Sequence, residues 1–499
     1  MVYFFTRAFN AEKTLHRCMR SILNQTYFDF HYYICDNGSS DSTWKIMQDF
    51  ASKDSRVHLF RNEQNTAHDW SNVEFVKYLV ENNGDKHYYY CALDSDDEYK
   101  PTFLKDMLTF VEANALDISI CGSDFIFEKT GKLIHTRAVK HNSIIKDNDF
   151  SQYFPVYHQF IRTYCGKLYS SSVLHHLEQK NIPSVAYGGD TLFTQELFRT
   201  AERVGILSDS LHKYYMSSKS ASYHWDANRV KSDRILDEFT RNFLISKCGT
   251  ITPDNDVFLL VVYFNAIKDT LSSLLNARIS LNDKLTEMRD MLTNKQTHRS
   301  IAYNGFTNEK KKFFSEITHW ILHQPDALST NNIEITIDIF ESLNRPDYEL
   351  FSFFIDIKKR SFQTFQSLEL AFKIVALTSK YPLLANISVD LATTFPQVVL
   401  SIMKGDNIEA LDQFITLSED VEISEKDVEA YILLGQNLAA ATEHIDTFIH
   451  FKKIWISYLL DNDRNREAEQ ELSEYEQLLP EDEDFAYFRS VIKKLGEIK

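Results

Sequence analysis

The chain has 499 residues, 43% of them hydrophobic and 25% charged, with a formal net charge of −17. That is a globular composition and excludes a disordered chain. The acidic balance speaks against nucleic acid as a partner, because phosphate binding needs a basic footprint, and against a strongly basic membrane-binding surface.

At this length a single core usually splits, so two or three domains are expected. Only 13 Gly and 9 Pro interrupt the chain, which favours long helices. The opening MVYFFTRAFN is too short an apolar run for a signal peptide and has no charged region before it. No unbroken run of eighteen apolar residues occurs, so no transmembrane helix is expected. Cys18, Cys35, Cys91, Cys121, Cys165 and Cys248 are scattered without a CxxC pair. They read as reduced, buried thiols of a cytosolic protein rather than a disulfide framework or a zinc site.

In chain order, Val2–Thr6 is an apolar run of strand length. Leu15, Cys18, Met19, Ile22 and Leu23 form the stripe of an amphipathic helix. His31–Cys35 is a strand ending in the turn signal Asp36-Asn37-Gly38. Asp41–Phe50 predicts a helix, Val57–Phe60 a strand and Asn72–Val80 a helix. Tyr88–Leu93 is a strand, Pro101–Ala113 a helix and Asp117–Cys121 a strand. Alternating β-α-β with apolar strands predicts an α/β fold, a mainly parallel sheet flanked by helices. Ligands of such sheets bind beyond the C-terminal strand ends, where Thr6–Asn10, Asp36–Ser40 and Asp94–Asp97 all fall.

From about Asp226 the patterns are helical almost to the end, beginning with Ile235, Leu236, Phe239 and Phe243. Ala468, Leu472 and Pro480 match the relative spacing of a tetratricopeptide repeat, but the Trp-Leu-Gly part of that pattern is poor. The expectation is an all-α helical-repeat or bundle region. The expected domains are residues 1–225, a helical extension over 226–330 and a repeat-like region over 331–499.

The chemistry concentrates in YYYCALDSDDEYKP, residues 88–101. A calcium loop starting at Asp94 needs Gly at its sixth position and Glu at its twelfth, where this chain has Tyr99 and Lys105. A solvated turn fits the composition, yet Asp94, Asp96 and Asp97 at the end of a buried strand repel one another. A hard divalent cation such as Mg²⁺ or Mn²⁺ relieves that repulsion and keeps open positions for phosphate oxygens.

Several motifs follow one another in order. Phe9-Asn10 is followed by Leu15 through Ser21, Gln25 and Tyr27, and then by Asp36, Gly38, Ser39, Asp41 and Thr43. LDSDDEYKP comes next, then CGKLYSSSVL (165–174), YGGDTLFTQELF (187–198) and SLHKYYMSSKSAS (210–222). Over roughly residues 1–225 this series resembles the family-2 glycosyltransferases of the GT-A, Rossmann-like fold.

The resemblance implies an inverting enzyme that uses a nucleoside-diphosphate sugar, most simply a UDP-sugar. It implies nucleotide contacts from Thr6, Ala8, Asn10, Asp36, Asn65, Asp94 and Ser95. A carboxylate such as Asp36 can accept the uracil N3–H, although an Asx turn explains Asp36–Ser39 as well. It implies Asp94, Asp96 and Asp97 as the metal residues for Mn²⁺ or Mg²⁺. Asp190 becomes the general base, although the usual Glu before it is Gly189 here and an N-cap role is the structural alternative. Lys167, Tyr215 and His224 become diphosphate or donor contacts, against the plain readings of a solvated lysine and a structural histidine. Tyr153, Phe154, Tyr157 and Phe160 suit either an acceptor-stacking surface or an apolar helix face.

The implied activity is transfer of a hexosyl or hexosaminyl group to a hydroxyl on a glycan, protein or lipid-linked saccharide, in bacterial surface polysaccharide or glycoprotein synthesis. A catalytically silent scaffold that binds partners through its helical tail is the alternative. A nucleotidyltransferase is disfavoured because TRAFNAEKTL lacks the Gly-rich phosphate loop. Expected partners are the donor, a glycan, peptide or protein acceptor, and a protein partner or second copy at the C-terminal helices. The basic, amphipathic EKKKFFSEITHWIL (309–322) suits either a packed helix or peripheral contact with a membrane carrying a lipid-linked acceptor. The expected location is the cytoplasm, extending to the inner face of the membrane.

Overall fold

In the first strand, β1 (Val2–Ala8), alternate side chains go to opposite faces: Val2 and Phe4 enter one core and Phe5 the other. The structure is a computed structural model that describes residues 1–66, 71–217, 224–328, 332–343, 380–385, 387–418, 421–480 and 482–497. These fall into two compact units, Met1–Ile279 with Thr293–Lys310, and Ser280–Leu292 with Lys311–Lys499.

The first unit holds the sheet. After β1 come α1 (Leu15–Leu23), β2 (Phe30–Asn37), α2 (Thr43–Lys53), β3 (Val57–Asn62), α3 (Asn72–Asn83), β4 (Tyr89–Ala92), β5 (Glu98–Tyr99) and α4 (Phe103–Ala113). Next are β6 (Ile118–Phe127), β7 (Lys132–Arg137), β8 (Ser143–Lys146), α5 (Asp149–Gln152), α6 (Phe154–Ile161), β9 (Lys167–Ser170), α7 (Ser171–Leu174), α8 (Gly189–Thr200) and β10 (Arg203–Met216). Two long helices follow, α9 (Arg229–Cys248) and α10 (Pro253–Leu275). The strand order is β3-β2-β1-β4-β9-β6-β10-β5, with β7 on β6 and β8 on β10. Pairings β1–β2, β1–β4, β2–β3 and β6–β10 are parallel, while β9 runs antiparallel to β4 and β6. This is the mainly parallel α/β sheet expected from the sequence.

Each face is covered as the periodicity requires. α1 buries Leu15, Cys18, Met19 and Ile22, and α4 buries Phe103, Leu104 and Met107, against the face that carries Phe4 and Ile34. The opposite face carries Phe75 of α3, Phe154, Tyr157 and Phe160 of α6, Phe193 and Leu197 of α8, and Phe243 of α9. Truncating one such fully buried ring to Ala costs about 3–5 kcal/mol. Phe154, Tyr157 and Phe160 are core residues, whereas Tyr153, just ahead of α6, is exposed. All six cysteines are free thiols, five of them buried.

α10 is long and apolar enough to cross a membrane by length and composition alone. It qualifies through its mean hydropathy, not through an unbroken apolar run. Leu259, Tyr263, Phe264, Ile267, Leu271 and Leu274 are buried, so packing inside the protein accounts for its apolar side.

The second unit is helical where it is described. Helices Pro396–Lys404, Asn407–Ser418, Val428–Ala441, Ile445–Asp461, Asn465–Leu478 and Phe485–Glu497 each pack on the next. Ala410, Phe414, Ala468 and Leu472 are buried between them. In Thr307–Leu322 the apolar side, Phe313, Ile317 and Ile321, is buried. Residues 344–379, within the repeat-like region expected over 331–499, lie outside the described residues.

Candidate active site

The parallel register aligns the strand ends. Ala8 pairs with Asp36 and Asp36 with Arg61, while Phe5 pairs with Ala92, which places Asp94 two residues beyond β4 on the same rim. Three loops therefore meet there, and side chains staple them. The Asn10 N–H donates to Ser39 Oγ (2.9 Å), and Asn10 Oδ1 accepts from the Ser40 N–H (2.9 Å). Asn10 adopts φ +48°, a left-handed conformation that Asn tolerates well. Gly38 has φ +76°, and a Cβ there would come within 2.4 Å of the Gln64 carbonyl carbon, so the turn requires glycine.

Asp36 is fully buried. Its Oδ1 accepts from the Ser39 N–H (3.0 Å) and its Oδ2 from Arg61 Nε (3.1 Å). Asn37 links its neighbours, donating to Asn65 Oδ1 (2.6 Å) and accepting from Arg7 Nη2 (3.0 Å) and Asn62 Nδ2 (2.8 Å). Thr6 is buried towards α1, 4.0 Å from Cys18 Sγ, and Ala8 is buried at the strand end.

The three aspartates of the acidic loop occupy different surroundings. Asp94 is half-buried, accepting from the Tyr164 hydroxyl at Oδ1 and from Cys165 Sγ at Oδ2 (3.6 Å). Burial, then the charge of Asp97, pushes its carboxyl up to about 6. Ser95 is half-buried beside it. Asp96 is exposed at the rim, and burial of its inner side followed by the charge of Asp94 pushes it up to about 6 as well. Asp97 faces inward and is buried. Its Oδ2 lies 3.0 Å from His212 Nε2, and its Oδ1 accepts from the Tyr215 N–H (2.9 Å). On the far side of the ring, His212 Nδ1 lies 3.0 Å from Ser123 Oγ. Burial, then Arg137, pushes His212 down to about 3, so the imidazole is neutral. With Ser123 donating to Nδ1, the Nε2–H donates to Asp97. Asp97, Cys165 and His212 are the one set of metal-capable side chains gathered within 4.8 Å among the described residues, and all three are buried.

Arg17 of α1 closes this corner. Its guanidinium lies 3.5 Å from the Tyr215 ring centroid, donates to the Asp96 carbonyl, and sits 3.6 Å from carboxylate oxygens of both Glu98 and Glu128. Tyr99 joins two walls of the site. Its hydroxyl donates to the Ala92 carbonyl (2.6 Å) and accepts from the Gly166 N–H (2.8 Å), while its ring stacks on Phe103 at 3.7 Å.

Asp190 lies in the first turn of α8, behind Gly188 at φ +78°. It is half-buried and lines the same cleft as Asp94, a cavity of about 830 Å³ that also takes in Phe125, Arg137, Arg162 and Tyr214. Burial, then Asp94, pushes the Asp190 carboxyl up to about 7, with Lys167 opposing. The N-cap of α8 is Gly188, so Asp190 stands two residues inside the helix rather than at its cap. Lys167 is buried and donates to the carbonyls of Thr163 and Cys165 (3.1 Å for the latter). Burial, then Arg137, pulls its ammonium down to about 7. The α8 start is latched from behind: the Tyr187 hydroxyl donates to Asp233 Oδ1, and Asp233 Oδ2 accepts from Thr270 (2.7 Å). His224 is exposed, and its carbonyl accepts from Arg229 (3.2 Å). Residues 218–222 of the closing motif lie outside the described residues.

The structure thus gathers Asp94, Ser95, Asp96, Asp190 and Tyr215 around one rim and cleft, with Ala8, Asn10, Asp36 and Asn65 along the neighbouring strand ends. Thr6, Asp97 and Lys167 are packed beneath it, and His224 stands at the surface. Sequence reading did not single out Arg17, Tyr164, Cys165 as a site residue, or His212. His212 carried a faint signal, since it shares a strand face with Tyr214 two residues on.

Residues 4–177 match Glycosyl transferase family 2. These residues match that family's domain, and a helical region follows them. The chain is similar to the uncharacterized glycosyltransferase YibD of Escherichia coli (strain K12), 24% identical over 249 residues that span 47% of this chain and 70% of YibD. It is similar to an Escherichia coli UDP-Glc:alpha-D-GlcNAc-diphosphoundecaprenol beta-1,3-glucosyltransferase, WfgD, 25% identical over 150 residues that span 28% of this chain and 53% of WfgD. Among solved structures, S. aureus TarS 1-349 in complex with UDP-GlcNAc aligns over 69% of this chain and 91% of that one, at 15% identity and a TM-score of 0.46.

Proposed function

We propose that the chain is an inverting glycosyltransferase that moves a sugar from a nucleoside-diphosphate sugar, with UDP as the nucleotide, to a hydroxyl of a glycan, protein or lipid-linked saccharide. The observation that carries this reading is the common cleft of Asp94 and Asp190, with Asp94 on the rim where β1, β2 and β4 end. The relative named as a UDP-Glc glucosyltransferase supports UDP.

Asp94 and Asp96 offer hard carboxylate oxygens, and both are pushed up to about 6 by burial and by neighbouring negative charge, a strain that a cation relieves. They would hold Mn²⁺ or Mg²⁺, which when bound neutralises charge on the leaving nucleoside diphosphate. Asp97 serves instead as an anchor, fixing the acidic loop to His212 and to the Tyr215 backbone. Asp36, fully buried and held by Ser39 and Arg61, would shape the strand end on which the base rests. Asp190, near half-ionised at neutral pH, takes the proton of the acceptor hydroxyl as that oxygen attacks the anomeric carbon. The bond from that carbon to the diphosphate oxygen breaks on the opposite face, and the configuration inverts. Bacterial surface polysaccharide or glycoprotein synthesis on the cytoplasmic side of the membrane is the setting that goes with this chemistry.

The test is donor hydrolysis and transfer with and without Mn²⁺ for wild type, Asp96→Ala and Asp190→Asn. Asp190→Asn is expected to lose about 10²–10⁴-fold in turnover, with UDP affinity kept. Folded wild-type protein without metal-dependent turnover on any nucleotide sugar would sink the enzyme reading in favour of a partner-binding scaffold.

A further inference from the structure

The cleft that holds Asp94 and Asp190 has a second, cationic pole. Arg137, the last residue of β7, and Arg162, at the C-terminal end of α6, both line it. Arg137 donates to the Gln159 carbonyl (2.7 Å) and lies 5.1 Å from the Phe125 ring and 5.6 Å from the Phe160 ring. Its Nε is buried without a hydrogen-bond partner. Among the described residues neither guanidinium has a carboxylate within ion-pair distance. Arg17, Arg56, Arg61, Arg199, Arg241 and Arg299 of the same unit each have one, whereas Arg20, Arg203, Arg234 and Arg278 also stand without one among the described residues. What sets Arg137 and Arg162 apart is that both line the cleft of Asp94 and Asp190, with a buried Arg137 Nε left unsatisfied. Burial and then the charge of Arg162 pull Arg137 down to about 10, and burial followed by Arg162 pulls His158 down to about 3. Positive charge is therefore crowded at this pole, and a bound anion would relieve it.

We propose that Arg137 and Arg162 form an acceptor subsite for an oxyanion, a phosphate or carboxylate that the acceptor carries close to the hydroxyl presented to Asp190. This rests on the glycosyltransferase reading above. The acidic loop and the ends of β1 and β2 form the donor wall, whereas Arg137 and Arg162 come from β7 and α6 and share their cleft with the base. Guanidinium groups offer planar forked donors that match either oxyanion in bidentate fashion. Phe125 and His135, stacked at 4.2 Å, and Tyr214 supply the aromatic surface on which a sugar or polyol chain rests between the two poles.

The test uses the full chain with UDP and Mn²⁺ present. Binding of sn-glycerol 3-phosphate and of D-glucuronate is compared with that of neutral glycerol and D-glucose by NMR titration. Wild type is expected to favour each anion over its neutral counterpart by roughly tenfold. Arg162→Gln, at the exposed end of α6, and the double variant Arg137→Gln/Arg162→Gln are expected to lose that preference. Their UDP affinity should stay within about twofold of wild type. The stronger of the two anions identifies the group carried. Equal binding of charged and neutral probes to wild type overturns the subsite, as does undiminished preference in the folded Arg162→Gln protein. UDP affinity that falls in step with the probes also overturns it, because the arginines would then serve the donor. Donor hydrolysis measured on the same samples separates the two readings. A wild type that hydrolyses donor but shows no anion preference removes the subsite alone, and wild type without hydrolysis removes the glycosyltransferase reading and the acceptor assignment with it.

Discussion

Replacing Asp97 separates an anchor from a metal ligand. In Asp97→Asn the side chain keeps its shape, with Oδ1 accepting the Tyr215 N–H and Nδ2 meeting His212 Nε2, where the wild-type contacts are 2.9 and 3.0 Å. His212 then shifts its proton to Nδ1 and donates to Ser123 Oγ, 3.0 Å away. Every buried group stays paired, and a neutral amide replaces a carboxyl that burial, then the charge of Asp96, already pushes well above its ordinary value, so stability should be unchanged or higher. Asp97→Ala instead orphans the His212 Nε2–H and the Tyr215 N–H, at about 1–3 kcal/mol each. The melting temperature should then fall by several degrees, at about 2–4 °C per kcal/mol. Differential scanning fluorimetry reads the stability, and a Mn²⁺ titration of donor hydrolysis reads metal dependence. Asp97→Asn should keep its half-saturating Mn²⁺ within about threefold of wild type, and Asp96→Asn should raise it by about tenfold or more. A folded Asp97→Asn that loses Mn²⁺ stimulation as fully as Asp96→Asn would refute the anchor role and make Asp97 a direct ligand.

Two more outcomes follow from the same geometry. Asp94 and Asp96 stand near 6 and Asp190 near 7 in the folded state, all raised above the ordinary carboxyl value of 3.8. Between these values the folded chain binds more protons than the unfolded one, so stability is fullest below about pH 4 for these groups and declines as pH rises through 6–7. Thermal melts from pH 5 to 8 in EDTA should show that decline and Mn²⁺ should flatten it; parallel curves would count against the coupling. Tyr187→Phe removes the donor to Asp233 behind Asp190. Turnover should fall about tenfold with donor KM little changed, because the base is displaced and not removed; a fall confined to KM would contradict the latch.

The parallel half of the sheet was legible because each element carries its own period. The stripe Leu15, Cys18, Met19, Ile22 is the buried side of α1, and the polar turns at Asn10, Asp36 and Asp94 fall at strand ends on one rim. What sequence could not give was the direction of side chains within one cluster. Asp94, Asp96 and Asp97 read as equivalent carboxylates. The turn closed by the Asp97 N–H to the Asp94 carbonyl (3.1 Å) sends Asp97 inward and leaves Asp96 outside. His212 and Asp97 are 115 positions apart, and Arg17 meets the Asp96 carbonyl across 79. Local patterns hold no information about such contacts, because tertiary packing alone creates them. The apolar length of α10 was missed for a different reason: polar residues break its run without lowering its mean hydropathy enough.

One hydroxyl sets a dimension of the cleft. Tyr99 bridges the Ala92 carbonyl, two residues ahead of Asp94, to the Gly166 N–H. From there the wall runs on through the Thr163 carbonyl to the Thr194 hydroxyl on α8, one turn beyond Asp190. In the proposed reaction, the span between the place where the leaving group would depart and the place where the nucleophile would be activated is therefore gauged by a phenol that touches neither. In-line displacement depends on that span more than on any single contact. Tyr99 would act as the ruler of that reaction while remaining, by every local measure, a core residue.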